Sequence, residues 1–312
     1  MNFTKELNIE AGKAICYSGF REGQSPETGV FPTYEEIKED LLMLHNHWKY
    51  LRLYDCDLHS EIVLDVIQNE KLNFKVMLGA YIAAEMNNFG CPWGGSYPEA
   101  QLNENKERNL KQIQKLIRLA NQYPDIIFSL SAGNEATVDW TDHYVPVKSV
   151  INYVKMLKEG AKQPVTFCEN YVPWLDKLKG LVDEVDFISI HTYPVWEYKN
   201  IHEALAFTKE NYFAVANKYP NKLVVITEAG WATHSNGRGI NPNNVSEEYQ
   251  EIYYNDLVNW SKEAEILTFV FEAFDEPWKG SDEPLEPEKH WGLFTVDRKP
   301  KKVMKSIFSE SI

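Results

Sequence analysis

Eight short apolar runs, each followed by a polar loop and a helical stretch, predict an α/β chain folded as a single (β/α)8 TIM barrel over residues 1–312. Two further observations support it. The runs are rich in β-branched and aromatic residues and lack clean polar alternation, as strands covered on both faces do. The alternation is not a sequence repeat, which argues against a solenoid. The structural alternative is an open doubly wound sheet. Such a sheet usually carries a glycine-rich turn after its first strand, and Ser18-Gly19-Phe20-Arg21 contains no GxGxxG.

The first four strands are placed at residues 13–19 (KAICYSG), 50–56 (YLRLYDC), 75–81 (KVMLGAY) and 126–133 (IIFSLSAG). The remaining four are placed at 164–170 (PVTFCEN), 186–194 (DFISIHTYP), 222–230 (KLVVITEAG) and 266–274 (ILTFVFEAF). The first helix, 33–47, opens with Thr33 as N-cap and Glu36 three residues on, a capping box. Further helices are expected near 59–70, 103–123, 147–160, 174–182, 201–219, 246–263 and 299–308. Ser246 followed by two glutamates suits a helix N-terminus, where the backbone dipole favours negative charge.

The chain carries 46 acidic and 32 basic side chains, a net charge of −14. A nucleic-acid binder needs a basic surface to displace phosphate counterions, so that class is excluded, as is electrostatic docking on anionic membranes. No apolar run reaches the roughly 18 residues that span a bilayer. The opening MNFTKELNIE has no apolar h-region. The expected location is extracellular or periplasmic if an export signal is removed, and cytoplasmic otherwise. Cys16, Cys56, Cys91 and Cys168 have no metal-type spacing and read as buried free thiols. Aromatic residues make up 13% of the chain, which hints at stacking on flat, uncharged groups such as sugars.

Barrel active sites lie at the C-terminal ends of the strands. Those ends offer Tyr17; Arg52, Tyr54, Asp55 and Asp57; Tyr81 and Glu85; Asn134-Glu135; Glu169-Asn170-Tyr171; His191-Thr192-Tyr193; Glu228 with Trp231; and Glu272, Asp275 and Glu276. Any one carboxylate here is as readily a helix cap or half of an ion pair. Four strands each delivering a glutamate to one rim need more, because buried like charges are costly unless paired or functional.

Other barrel chemistries lack their residues. The first strand has no His, and His45 and His47 sit on a predicted helix where i and i+2 diverge. No Lys lies in the C-terminal half of any strand, as a Schiff base requires. GxSxG is absent, and the glycine-rich stretch 235–239 is a flexible loop or a phosphate site. No metal or cofactor is therefore expected. Paired carboxylates among aromatics point to glycoside hydrolysis.

Particular motifs then carry a resemblance. Gly133-Asn134-Glu135, Thr227-Glu228-Ala229-Gly230-Trp231 and Arg52-Leu53-Tyr54 resemble glycoside hydrolase family 17. So do the segments 271–279 (FEAFDEPWK) and 288–294 (EKHWGLF), at family spacing across nearly the whole chain. The resemblance implies a retaining β-1,3-glucanase with Glu135 as general acid/base and Glu228 as nucleophile. It also implies that Asn134 bonds the substrate 2-hydroxyl and Tyr193 holds the nucleophile. Glu276, Lys279 and Glu288 match family positions read as support and sugar binding, and Glu272 is assigned to the same polar network.

Trp231, Trp278, Trp291 and Tyr17 are candidate sugar platforms, with Tyr54, Tyr171 and Trp196 as weaker ones. The loop 85–99 is longer than a bare strand-to-helix connection, and His191-Thr192-Tyr193-Pro194 differs from the plant members. The expected partner is a β-1,3-glucan polysaccharide or oligosaccharide, cut endo, by a monomer. A β-1,3-glucanosyltransferase and a non-catalytic carbohydrate-binding barrel remain as alternatives.

Overall fold

The eight apolar runs are the eight strands of a closed parallel barrel in the order β1 to β8. The computed structural model describes residues 1–308. The strands are β1 (Ala14–Cys16), β2 (Tyr50–Leu53), β3 (Lys75–Gly79), β4 (Ile127–Asn134), β5 (Val165–Asn170), β6 (Ile188–His191), β7 (Val224–Ala229) and β8 (Thr268–Val270). Ile15 pairs with Leu51 of β2 on one side and with Val270 of β8 on the other, which closes the ring. Nearly every strand residue is buried, because barrel packing covers one face and helices the other.

The helices are α1 (Phe3–Glu6), α2 (Tyr34–Leu44), α3 (Leu58–Asn69), α4 (Glu99–Gln122), α5 (Val147–Gly160), α6 (Tyr171–Leu175), α7 (Ile201–Lys218), α8 (Glu247–Glu263) and α9 (Lys302–Phe308). The Thr33–Glu36 capping box opens α2, and a second box, Asn200 with Glu203, opens α7. Among the described residues no helix is long and apolar enough to cross a membrane. All four cysteines are buried free thiols.

Three elements differ from expectation. The short α1, which buries Phe3, is additional. The helix expected at 174–182 stops at Leu175, and Leu178, Leu181 and Val182 reach the core from successive turns instead. The last helix begins at Lys302 rather than 299, because Arg298 takes φ +63° and Pro300 pairs with Phe294 in an isolated bridge.

A buried clasp joins the two ends of the chain. Asp40 of α2 accepts from Tyr17 Oη (3.0 Å) and from Arg298 Nε and Nη2 (2.7 Å each). Arg298 also donates to the carbonyl of Gly19 at 2.8 Å. Asp40 is wholly enclosed, so these donors supply the compensation that a buried carboxylate requires.

Candidate active site

Glu135 and Glu228 come from strands on different sides of the barrel. Glu228 lies within β7, one residue short of its end, and Glu135 directly follows β4. Glycines flank both, for steric reasons. Gly133 has φ +142°, and a Cβ there would meet Ile82 at 2.6 Å. Gly230 passes so close to β8 that a Cβ would lie 2.1 Å from the Phe271 carbonyl oxygen. Glu135 itself takes φ +44°, an uncommon conformation for a residue with a side chain.

His191, at the end of β6, bridges the two carboxylates. Its Nδ1 lies 2.8 Å from Glu135 Oε1 and 3.5 Å from Glu228 Oε2. Oxygens of the two glutamates and this nitrogen all fall within 4.8 Å of one another. Glu228 is almost enclosed, while the Glu135 side chain keeps 25% of its surface exposed. Arg52 of β2 forks across the site, donating Nη1 to Glu228 and Nη2 to Asn134 Oδ1. The Tyr193 hydroxyl donates to the other oxygen of Glu228.

The electrostatics follow from this geometry. Burial alone would raise the Glu228 pKa, but His191, Arg52 and the Tyr193 hydroxyl outweigh it and bring it down to about 2. Burial would likewise discharge His191, yet Glu228, Cys168 and Glu135 hold its pKa up, to about 10. The three-donor cluster has a spacing that would suit a small metal ion, but two cations already neutralise it, and Arg52 occupies one oxygen of Glu228. That donor set therefore fits an ion-paired carboxylate better than a metal centre.

Sequence reasoning placed Arg52 and His191 at strand ends without giving them a site role. The available signal was a charged side chain inside an otherwise apolar, doubly covered strand: Arg in YLRLY and His in FISIH. Such a residue demands a buried partner.

Replacing Arg52 by Met is expected to raise the Glu228 pKa, because the burial penalty remains and one compensating charge is lost. Glu228 has a depressed pKa in the folded state. Its contribution to stability is therefore present above about pH 4.5 and lost as pH falls towards 2. In the variant the acid limb of the kcat/KM profile should move up by about one unit or more. Leaving the buried carboxylate with one fewer partner should cost about 3–5 kcal/mol at neutral pH. Kinetic pH profiles and denaturant titration measure the two effects.

The polar network at the end of β8 brings the other predicted carboxylates together. Lys279 lies between Glu272, at 3.1 Å, and Glu276. Glu276 also accepts from Ser18 and from Trp278 Nε1, the latter at 3.1 Å. Burial and the adjacent Glu276 push the Glu272 carboxyl well up, whereas against its own burial Lys279 holds Glu276 low. The two carboxyls thus share the single ammonium of Lys279. Burial also raises Glu288, to about 7, although Lys279 opposes the shift.

The aromatic platforms need correction. Tyr17, Trp231 and Trp291 are each only 1% exposed, so none presents a free face. Tyr17 is committed to Asp40, Trp231 donates to the Asn244 carbonyl at 3.0 Å, and Trp291 packs 5.1 Å from the Tyr193 ring. Trp291 thus backs Tyr193, while Tyr17 and Trp231 belong to the hydrophobic core. Tyr54 lies under the Arg52 guanidinium, 4.3 Å from ring centroid to Cζ, and its buried hydroxyl has no partner among the described residues. Tyr171 packs edge-on against Phe207, with no contact to either catalytic candidate, while Trp196 lies 6.2 Å from Trp291. Of the four principal platforms Trp278 alone is half-buried and not enclosed.

A depression of about 370 Å³ lined by Glu6, Lys158, Lys162 and Asp186 lies beside the starts of β5 and β7, away from the carboxylate pair. Its acids and bases pair at the surface, as Lys158 and Asp186 do at 2.9 Å, and do not converge on a cleft.

A closed parallel barrel in which an ionised glutamate on β7 faces a half-open one after β4 defines the class: a glycoside hydrolase barrel. A family profile described as the BtgE/BtgC glycoside hydrolase domain matches residues 14–292. The chain belongs to that family.

Among curated relatives, a glucan 1,3-beta-glucosidase of Arthroderma benhamiae is 22% identical over 91% of this chain and 88% of its own length. A putative glucan endo-1,3-beta-glucosidase, btgC, of Aspergillus niger is 24% identical over 86% of this chain. This chain spans only 39% of that relative. Among solved structures, an endo-laminarinase from Formosa superposes with a TM-score of 0.81 at 28% identity, covering 96% of this chain and 86% of that one. A glycoside hydrolase family 17 beta-1,3-glucanosyltransferase from Rhizomucor miehei superposes with a TM-score of 0.71 at 23% identity, covering 93% and 95%, and at that identity it speaks for the fold alone.

Proposed function

We propose that this protein is a retaining β-1,3-glucan hydrolase of glycoside hydrolase family 17, acting endo on laminarin-type polymers by double displacement at the C-terminal mouth of its barrel. The observation that carries this reading is the carboxylate pair, with oxygens within 4.8 Å and one member held ionised by Arg52, His191 and Tyr193. A separation of that order leaves room for a sugar carbon and none for an intervening water. The names of the Arthroderma relative and the Formosa neighbour supply the substrate class.

Glu228 attacks the anomeric carbon while Glu135 protonates the departing glycosidic oxygen, giving a glucosyl ester on Glu228. Glu135, now a carboxylate, takes a proton from the incoming water, which displaces Glu228 and restores the β configuration. Arg52 holds Asn134 through Oδ1, which leaves the amide NH₂ to reach the sugar 2-hydroxyl. Tyr193 fixes the trajectory of the Glu228 oxygen it contacts. Trp278, Lys279 and Glu288 border the sugar, with Glu272 and Glu276 keeping Lys279 in place.

Time-resolved product profiling on laminarin, lichenan and pustulan tests the proposal. Laminarin should give a ladder of shorter oligosaccharides whose new ends are first formed as the β anomer. Release of α anomers would overturn the retaining mechanism, and release from another linkage with none from laminarin would overturn the substrate. Products longer than the starting oligosaccharide would assign a transferase instead. Laminarin binding without turnover would assign a carbohydrate-binding barrel.

A further inference from the structure

The connections after β3 and β4 are locked into one wall. Asn88 Nδ2 donates to the carbonyls of Asp139 and Thr141, at 2.8 Å each, and the Glu85 N–H donates to the Tyr144 carbonyl at 3.0 Å. Gly94 lies against Asp142 so closely that a Cβ would come within 3.2 Å of its side chain.

The wall runs directly into the catalytic dipeptide. His143 contacts the Asn134 carbonyl through Nε2 at 3.0 Å and Asp142 through Nδ1 at 2.8 Å, with its ring centroid 5.1 Å from that of Tyr81. On this wall three large rings stand in solvent: Phe89 at 82% exposure, Trp93 at 57% and Trp140 at 39%.

A single exposed ring needs no explanation. Three on two interlocked loops that lead away from a carboxylate pair do, because burying them in the core would remove more apolar surface from water. Their setting selects the occupant. Beside the rings stand the Asp142 carboxylate, which is 46% exposed, the half-buried Asn87 and the exposed Met86. A pyranose matches that mixture, with C–H faces for the rings and hydroxyls for the Asp142 carboxylate.

We propose that Phe89, Trp93 and Trp140 form a remote aromatic wall that holds glucosyl units of a long β-1,3-glucan beyond those at the carboxylates, and so sets a preference for polymer over short oligosaccharides. The inference rests on the β-1,3-glucan reading and adds to it the residues that measure chain length. On this proposal the wall takes units beyond those that a trisaccharide places around the scissile bond.

The test compares kcat/KM on laminarin and on laminaritriose for the full chain, for Trp93→Ala and for the triple variant Phe89→Ala/Trp93→Ala/Trp140→Ala. The laminarin-to-laminaritriose ratio should fall about tenfold in the triple variant and about threefold in Trp93→Ala, chiefly through KM on the polymer. Trp93→Phe, which keeps a ring, should recover most of the ratio. A ratio within about twofold of wild type in both variants overturns the proposal, whether activity is kept on both substrates or lost equally on both. If the triple variant does not fold, Trp93→Ala decides alone. A wild type that cuts neither substrate overturns the β-1,3-glucan reading and this inference with it. That result is distinct from an active wild type whose triple variant keeps the same laminarin-to-laminaritriose ratio, which overturns the wall alone.

Discussion

Glu228→Ala is expected to lower kcat on laminarin by at least about 10⁴-fold, roughly 5 kcal/mol of transition-state stabilisation. In the proposed mechanism the side chain supplies the bond-forming atom, and among the described residues no other group in the site is poised to replace it. Glu135 belongs to the opposite partial reaction, His191 is held cationic, and the Tyr193 hydroxyl is already committed to Glu228. Removing the carboxylate leaves a small hole beside two cations, Arg52 and His191. An anion of azide's size fits both the space and the charge. Added azide should therefore restore turnover on an activated glucoside and deliver an α-glucosyl azide, since a single displacement inverts the centre. Full activity in Glu228→Ala, or a β-glucosyl azide, would remove Glu228 from the nucleophile's role. Leaving Arg52 without its buried anion should itself cost about 3–5 kcal/mol of stability, which denaturant titration measures separately from the loss of turnover.

The second large effect depends on the leaving group. Glu135→Ala should lower kcat/KM on laminarin by about 10³-fold, within the 10²–10⁴-fold range of general acid–base catalysis. A sugar alkoxide departs poorly without a proton. On a dinitrophenyl laminaribioside, whose phenolate leaves unaided, the same variant should form its glucosyl-enzyme almost as fast as wild type. It should then stall, because no base activates the incoming water. A burst of dinitrophenolate followed by a slow steady state is the expected signature. Equal losses on both substrates would mean that Glu135 positions the sugar and does not protonate the leaving oxygen. The 25% exposure of this carboxyl, against the enclosure of Glu228, suits a group that must exchange protons with water in every cycle.

The architecture was legible in the sequence because a doubly covered strand leaves a strong trace. All eight apolar runs became strands, and the Thr33–Glu36 pair became the cap it resembled. The expected helix at 174–182 was not, since Leu178 and Leu181 satisfy their burial from turns as well as from a helix, and spacing alone does not separate the two. Within the candidate site, strand ends named residues that the fold brings together, Glu135, Glu228 and Tyr193 among them, but did not show which aromatics keep a free face. Trp231 and Trp291 stand next to turns in sequence, yet neighbouring loops cover both faces. A linear pattern records which residues meet a loop and not what lies across it. The roles of Arg52 and His191 were hidden for the same reason: each is defined by partners on β4 and β7, far along the chain.

The clasp between Asp40, Tyr17 and Arg298 has a consequence for synthesis on the ribosome. Asp40 and Tyr17 emerge well ahead of Arg298 and of β8, the second neighbour of β1. At about 5–20 residues per second the nascent chain waits some tens of seconds with one edge of β1 unpaired and with Asp40 partnered by Arg21 and Tyr17 but still without the two 2.7 Å donors of Arg298. Over that interval Asp40 has reason to stay hydrated. A carboxylate that resists burial until its distant partner arrives delays sealing of α2 against β1, and so guards the open edge against premature collapse onto the wrong strand.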